Sequence, residues 1–259
     1  MRERTIIVTG GGSGIGRAVV LLCAERRAQI AVLDRDGESA VRVASEAKMK
    51  GAISAVGIQC DVSDESQVEK AFAKADRQLG IVRGVFANAG VDQGGPLHEL
   101  PFEKWQQVLA INLNGVYLTC KHALRAMLAA GRGGSIVCTS SPAAQVAFPA
   151  GGAGAYSASK GGISSLVRCL AVDYAQFGIR VNALVPGSTE TPLMWANVPP
   201  ADISHMREQI CSEVPLGRLA QPEEPARAAV WLLSDESSYV TGSHLVCDGG
   251  VLAKASVRV

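Results

Sequence analysis

Short runs rich in valine and isoleucine recur along the chain: TIIVTG, QIAVLD, ISAVGIQCD, VRGVFANAG, GSIVCTSS, IRVNALVPG and SHLVCDGG. They are continuously apolar and do not alternate with polar residues. Strands buried on both faces of a parallel sheet have this pattern. Between them lie segments with helical spacing of apolar positions, over 14–28, 38–50, 64–79, 102–130, 155–177 and 222–233. Strand–helix alternation from end to end predicts an α/β fold, a doubly wound parallel sheet of about seven strands with helices on both faces. No linker, repeat or low-complexity stretch interrupts it, so residues 1–259 are expected to form a single domain.

Two connections are long. One covers 142–155, PAAQVAFPAGGAGA, and the other covers 187–215, with prolines at 192, 199, 200 and 215. Both follow strands, and ligands of open α/β sheets bind beyond the strands' carboxyl ends. The second stretch is therefore the expected substrate loop.

Composition narrows the function. The chain is 47% hydrophobic and 19% charged, with net charge +1. That balance suits a globular core and argues against a nucleic-acid partner. No apolar stretch reaches membrane-spanning length, so no membrane association is expected. The start, MRERTIIVTG, enters a strand directly without a signal-peptide core. Seven cysteines lie scattered with no C-x-x-C, and the four histidines are isolated. Free thiols in a reducing, cytoplasmic setting and no metal site are the expectation.

The first strand runs into Thr9-Gly10-Gly11-Gly12-Ser13-Gly14-Ile15-Gly16. This stretch fits neither G-x-G-x-x-G nor the P-loop pattern. Glycines at 10, 14 and 16 allow a tight turn and let a helix N-terminus meet a pyrophosphate closely. Asp34 ends the second strand, where an acid can accept hydrogen bonds from ribose hydroxyls and would repel a 2′-phosphate. That favours NAD. Arg35 beside it keeps NADP open as the alternative.

With these features in order, the chain resembles the short-chain dehydrogenase/reductase family over nearly its whole length. The matching elements are Thr9-Gly10-x-x-x-Gly14-x-Gly16, Asn88-Ala89-Gly90, Asn112 in INLNG, Ser141 in CTSS, Tyr156-x-x-x-Lys160, Pro186-Gly187-Ser188-Thr189-Glu190-Thr191, Tyr239-Val240-Thr241-Gly242 and Asp248-Gly249-Gly250. The resemblance implies a Rossmann-like fold and a nicotinamide dinucleotide held by Gly10, Gly12, Ser13, Gly14 and Ile15. Asp34 and Arg35 would sit at its ribose, and Asp61 and Val62 at its adenine. Ala89 and Gly90 would line it, and Pro186, Gly187, Thr189 and Thr191 would hold its nicotinamide half. Asn88 has two readings, a tie between strands or a cofactor contact. Thr189 and Thr191 also have a second reading, as helix caps.

Tyr156 and Lys160 are four apart on a predicted helix and share one face. A fixed ammonium about 4 Å from a phenol is worth about 4 kcal/mol at an effective dielectric near 20. That is enough to lower the phenol from about 10 by up to about three units. The resemblance gives Tyr156 the proton transfer, Lys160 the tuning of Tyr156 and a contact with the nicotinamide ribose, Ser141 the substrate oxygen, and Asn112 a water in a proton relay. Ser140 and Ser141 are neighbours on a strand, so only one faces inward; the resemblance favours Ser141. The interval from Ser141 to Tyr156 is longer than the family usually has, and Gly151–Gly154 looks like the extra length. Ala143, Gln145, Val146, Met194 and Trp195 occupy substrate positions. Their mostly apolar character hints at a hydrophobic ketone or secondary alcohol. The expected activity is NAD(H)-linked interconversion of a secondary alcohol and a ketone, without metal, in a homotetramer or homodimer. An NADPH-linked carbonyl or 3-oxoacyl reductase and a non-catalytic dinucleotide sensor are the alternatives.

Overall fold

The computed structural model describes residues 1–148 and 151–254. Its strands are β1 (Thr5–Thr9), β2 (Gln29–Asp34), β3 (Ser54–Gln59), β4 (Val82–Ala87), β5 (Gly134–Thr139), β6 (Ile179–Pro186) and β7 (His244–Cys247). They form one sheet in the order β3-β2-β1-β4-β5-β6-β7, and every neighbouring pair is parallel.

Alternate residues of the central strands feed two cores. Ile6, Val8, Ile30 and Val32 pack under α1 (Gly14–Glu25), α2 (Gly37–Met49) and α9 (Glu223–Leu233). Ile7, Leu33, Val85 and Ile136 pack under α3 (Glu65–Leu79), α5 (Gly115–Ala130) and α6 (Gly154–Tyr174). Helices on both faces explain why these strands carry no polar alternation. The edge strands β3 and β7 are only partly buried.

Two expectations change. The helix expected over 102–130 runs without a gap but is not uniform: α4 (Phe102–Leu109) passes into a π turn at Ala110–Asn114 before α5 begins. A π turn is rare and marks functional sites; periodicity cannot show it, because the apolar stripe continues on both sides. The 187–215 stretch is also not a plain loop. It holds α7 (Pro192–Trp195) and α8 (Ile203–Glu213). None of α8's residues is fully buried, so its helical stripe was weak in sequence. Pro149 and Ala150 of the other long connection lie outside the described residues.

The strand order switches sides between β1 and β4, and open α/β sheets bind ligands in the crevice at the strands' carboxyl ends at such a switch point. The glycine stretch, Asp34, Asn88, Ser141 and Pro186 all lie at that edge.

Candidate active site

Gly10 and Gly14 sit at φ +61° and +51°, in the left-handed region. A Cβ on Gly16 would lie 2.0 Å from the Gly10 carbonyl oxygen, so the start of α1 is pressed onto the turn. Ser13 holds the N-cap position of α1 without capping it, and no acid lies in the first turn. The first N–H groups, including that of Ile15, thus face the crevice unneutralised, a donor set that fits a pyrophosphate. Asp34 is fixed by two backbone donors, Gly12 N at 2.9 Å and Asp36 N at 3.0 Å. Arg35 is exposed. Two arginines unnoticed in sequence lie close by: Arg42 reaches the Gly12 carbonyl, and Arg17 and Arg42 share Glu46. Their charge is thereby partly neutralised.

Asp61 accepts from the backbone and hydroxyl of Ser63, and the Val62 side chain packs beneath Gly115. Asn88 is spent on protein: its amide donates to the Thr9 and Gly10 carbonyls, and its oxygen accepts from Thr139 Oγ1. The strand-tying reading describes that geometry. Thr9 Oγ1 in turn receives the N–H groups of Asn88 and Ala89. Gly90 faces Asn112, whose oxygen would meet a Cβ there at 3.3 Å.

On the opposite wall Pro186 ends β6. Gly187 N donates to Cys247 O, with the backbone of Asp248 too close for any side chain at 187. Buried Thr189 donates to the Gly187 carbonyl. Thr191 caps α7, accepting from Met194 N, and its methyl rests against Gly14. The two walls of the crevice meet there.

Lys160 is buried and donates to the Thr139 carbonyl at 2.8 Å, with its Nζ 5.4 Å from the centre of the Tyr156 ring. Ser140 faces α6, bonded to Ser164 and the Lys160 carbonyl. Ser141 faces the other way, and its hydroxyl is positioned to hydrogen-bond the Tyr156 phenol. Burial pushes that phenol up to about 12; Ser141 pulls it down, and nearby Asp92 adds to the rise. This corrects the expectation of a phenol drawn toward neutrality by Lys160. Burial also weakens Lys160, to about 8, although Cys138 and Asp92 oppose that. Desolvation outweighs the opposing Ser141 hydrogen bond at Tyr156 and the two opposing charges at Lys160.

Asn112 is fully buried in the π turn. Its Oδ1 accepts from Val91 N at 2.8 Å, and its Nδ2 donates to Val91 O at 2.9 Å and Ser159 Oγ at 3.2 Å. Both amide hydrogens are used, so the side chain positions the segment after β4.

Ala143 is buried in the short turn Pro142–Ala144 after β5, while Gln145 and Val146 are exposed. Met194 is partly buried. Trp195 is held from the α8 side: its Nε1 donates to Glu190 at 2.6 Å, and Arg207, paired with Glu190, stacks over its ring. The glycine-rich insertion crosses to the segment after β4, where Gly95 N donates to Gly152 O at 2.9 Å.

Sequence reasoning passed over Asp92. It is partly buried, and burial raises its carboxyl above the ordinary range against the pull of Lys160. A charged residue four positions after Asn88, at the functional end of an apolar strand, was the available signal. Among the described residues no cluster of three or more histidine, cysteine, aspartate or glutamate residues could hold a metal, and no helix is long and apolar enough to cross a membrane.

Residues 10–252 match the family model described as enoyl-(acyl carrier protein) reductase. The chain is 41% identical over 251 residues to 2,5-dichloro-2,5-cyclohexadiene-1,4-diol dehydrogenase of Sphingobium indicum, covering 96% of this chain and 97% of that one. It is 43% identical over 252 residues to cis-4-hydroxycyclohexanecarboxylate dehydrogenase of Sinomonas cyclohexanicum, covering 97% of each. Its fold is similar to the crystal structure of a short-chain type dehydrogenase/reductase from Mycobacterium marinum, with TM-score 0.91, 34% identity, and 98% and 97% of the two chains covered.

Proposed function

The chain belongs to the short-chain dehydrogenase/reductase family, and from that premise we propose that it is an NAD(H)-linked dehydrogenase of ring-borne secondary alcohols, with Tyr156 as its general acid/base. It is an oxidoreductase acting on CH–OH groups with a nicotinamide dinucleotide. The observation that carries the catalytic reading is the convergence of Ser141, Tyr156 and buried Lys160 at one point of the crevice. The dinucleotide, when bound, accepts or returns hydride. Tyr156 takes the proton from the substrate hydroxyl, or gives it to the carbonyl. Ser141 holds the substrate oxygen beside that phenol. Lys160, anchored on Thr139 O, holds its ammonium next to Tyr156 and would be the group to bind the nicotinamide ribose.

Asp34 supports NAD. Its carboxylate is pinned at the Gly12 N–H, where an added phosphate would meet a fixed negative charge. Arg17 and Arg42 favour the alternative, NADP, but Glu46 holds both. Initial rates with each dinucleotide on a panel of cyclic secondary alcohols test the reading. We expect NAD⁺ to exceed NADP⁺ in kcat/KM, and Asp34→Ala to cut the NAD⁺ value by about tenfold or more, the loss of a charged hydrogen bond. A wild-type preference for NADP⁺ would overturn the cofactor assignment. No turnover with either would overturn the function.

The two relatives differ in their second substituent, a hydroxyl in one name and a carboxylate in the other. Either class fits the machinery described so far. Exposed apolar side chains on α5 and α6, Tyr117, Leu128 and Val172, support self-association into a dimer or tetramer. Seven free cysteines suit a cytoplasmic setting.

A further inference from the structure

Residues 91–95 form a wall of the site, fastened at three places. Asn112 grips both backbone groups of Val91, at 2.8 and 2.9 Å. Asn197, between α7 and α8, donates its Nδ2 to the Asp92 carbonyl at 2.6 Å. Gly95 N donates to Gly152 O in the glycine-rich insertion. The wall is therefore held jointly by the π turn, the substrate loop and the connection leading to Tyr156. A wall so fixed presents its side chains in one place.

Two of those side chains are short of donors. The Asp92 carboxylate is partly buried and within electrostatic reach of both Tyr156 and Lys160, yet it makes no hydrogen bond or ion pair among the described residues. Next to it in sequence, Gln93 Oε1 is buried and finds no hydrogen-bond partner there either. A buried acceptor left without a donor, as at Gln93, is costly and rare without a reason, and the partly buried Asp92 carboxylate beside it has no protein donor among the described residues. A substrate that brings a hydroxyl donor to this wall satisfies Asp92. A substrate that brings a carboxylate sets like charges together in a partly desolvated site. An amino alcohol also offers Asp92 a donor, but sets its own cation against the Lys160 ammonium that Asp92 already faces.

We propose that Asp92 is a specificity-determining residue that accepts a hydrogen bond from a second hydroxyl of the substrate, so that this enzyme prefers neutral diols and rejects hydroxy acids. The inference rests on the dehydrogenase reading above and goes on to decide between the two substrate classes. Asn112, Asn197 and Gly152 act as positioning groups for that contact.

A matched set tests it: cyclohexanol, 1,4-cyclohexanediol, 4-hydroxycyclohexanecarboxylate and 4-aminocyclohexanol, each with wild type, Asp92→Asn and Asp92→Leu. Wild type should favour the diol over cyclohexanol by about ten- to hundredfold in kcat/KM, the selectivity of a site built to bond a substrate hydroxyl. The hydroxy acid should be the poorest. Asp92→Leu should collapse the diol-to-cyclohexanol ratio toward one, chiefly through KM, and Asp92→Asn should raise the hydroxy acid relative to the diol. Binding of the diol as a competitive ligand, read by protection against thermal unfolding, should weaken in Asp92→Leu. The proposal fails if wild type favours the hydroxy acid or the aminoalcohol. It also fails if both variants lower all four substrates equally with KM unchanged, which would mark Asp92 as a structural or proton-handling group. Absence of turnover on every alcohol would instead sink the dehydrogenase reading itself, which separates the two failures.

Discussion

Replacing Tyr156 with phenylalanine is expected to lower kcat by about 10³-fold, within the range for a lost general acid/base, while dinucleotide binding stays within about twofold, since the ring is kept. The phenol is the group that can exchange a proton with the substrate oxygen beside Ser141, and Ser141 itself accepts from Ala143 N. The sign of the pH dependence follows from the environment. Burial raises the Tyr156 pKa to about 12, with Ser141 opposing and Asp92 reinforcing. Carbonyl reduction needs the protonated phenol, which persists through neutral pH. Alcohol oxidation needs the phenolate, whose population grows as pH rises. Reduction should therefore run best near neutrality, and oxidation should gain toward alkaline pH. Lys160, weakened by burial to about 8, carries its charge only below that pH, so its support for the phenolate is greatest at neutrality. Initial rates in both directions across this range should show opposite slopes in wild type and flat, low profiles in Tyr156→Phe. Full turnover in the variant would remove Tyr156 from the chemistry. Asp92→Asn, by taking away a neighbouring negative charge, should move the oxidative limb to lower pH.

The architecture was legible because its signal is dense. Seven valine- and isoleucine-rich runs became the seven strands, since a sheet covered on both faces leaves no room for polar alternation. The edge of the sheet that carries Gly10, Asp34, Asn88, Ser141 and Pro186 followed from the same pattern. Local spacing also brought Tyr156 and Lys160 to one helix face. Features set by several distant segments at once were not legible. The π turn around Asn112 exists because a buried amide reaches Val91 and Ser159, and neither contact leaves a mark on apolar periodicity. The sign of the Tyr156 shift depends on desolvation, which spacing cannot weigh against a neighbouring lysine. Asp92 has meaning only once Asn197 and Gly152, from far along the chain, close around it. Helix α8 was hidden because it lies on the surface, tied down by Glu190, Arg207 and Trp195 instead of an apolar stripe.

Asn112→Leu should damage both the fold and the chemistry, and the balance between the two losses is the informative quantity. Leucine keeps the branched outline of the amide but is bulkier, so no cavity opens and some overpacking adds to the lost hydrogen bonding. The Val91 N–H and C=O each lose their partner, and Ser159 loses a donor. Each group stranded away from water costs about 1–3 kcal/mol, so roughly 2–5 kcal/mol of stability should go. For a chain of this length that is a fall in Tm of about 5–15 °C. The chemical loss has a different origin. Asn112 joins the wall at Val91 to Ser159, one residue before Lys160 on α6, and Ser159 donates to the Tyr156 carbonyl. Freeing the amide loosens the substrate wall and the helix turn that carries the reacting phenol. A misplacement of about 1 Å is worth about 10²-fold in rate. Turnover measured well below the lowered Tm should therefore still be down by about that factor, with dinucleotide affinity little changed, because Gly10, Gly14 and Asp34 lie on other elements. If turnover recovers fully at low temperature, Asn112 serves stability alone. If it stays low while Tm is unchanged, the amide acts on the reacting groups directly, and its hydrogen bonds to Val91 are not what hold the wall in place.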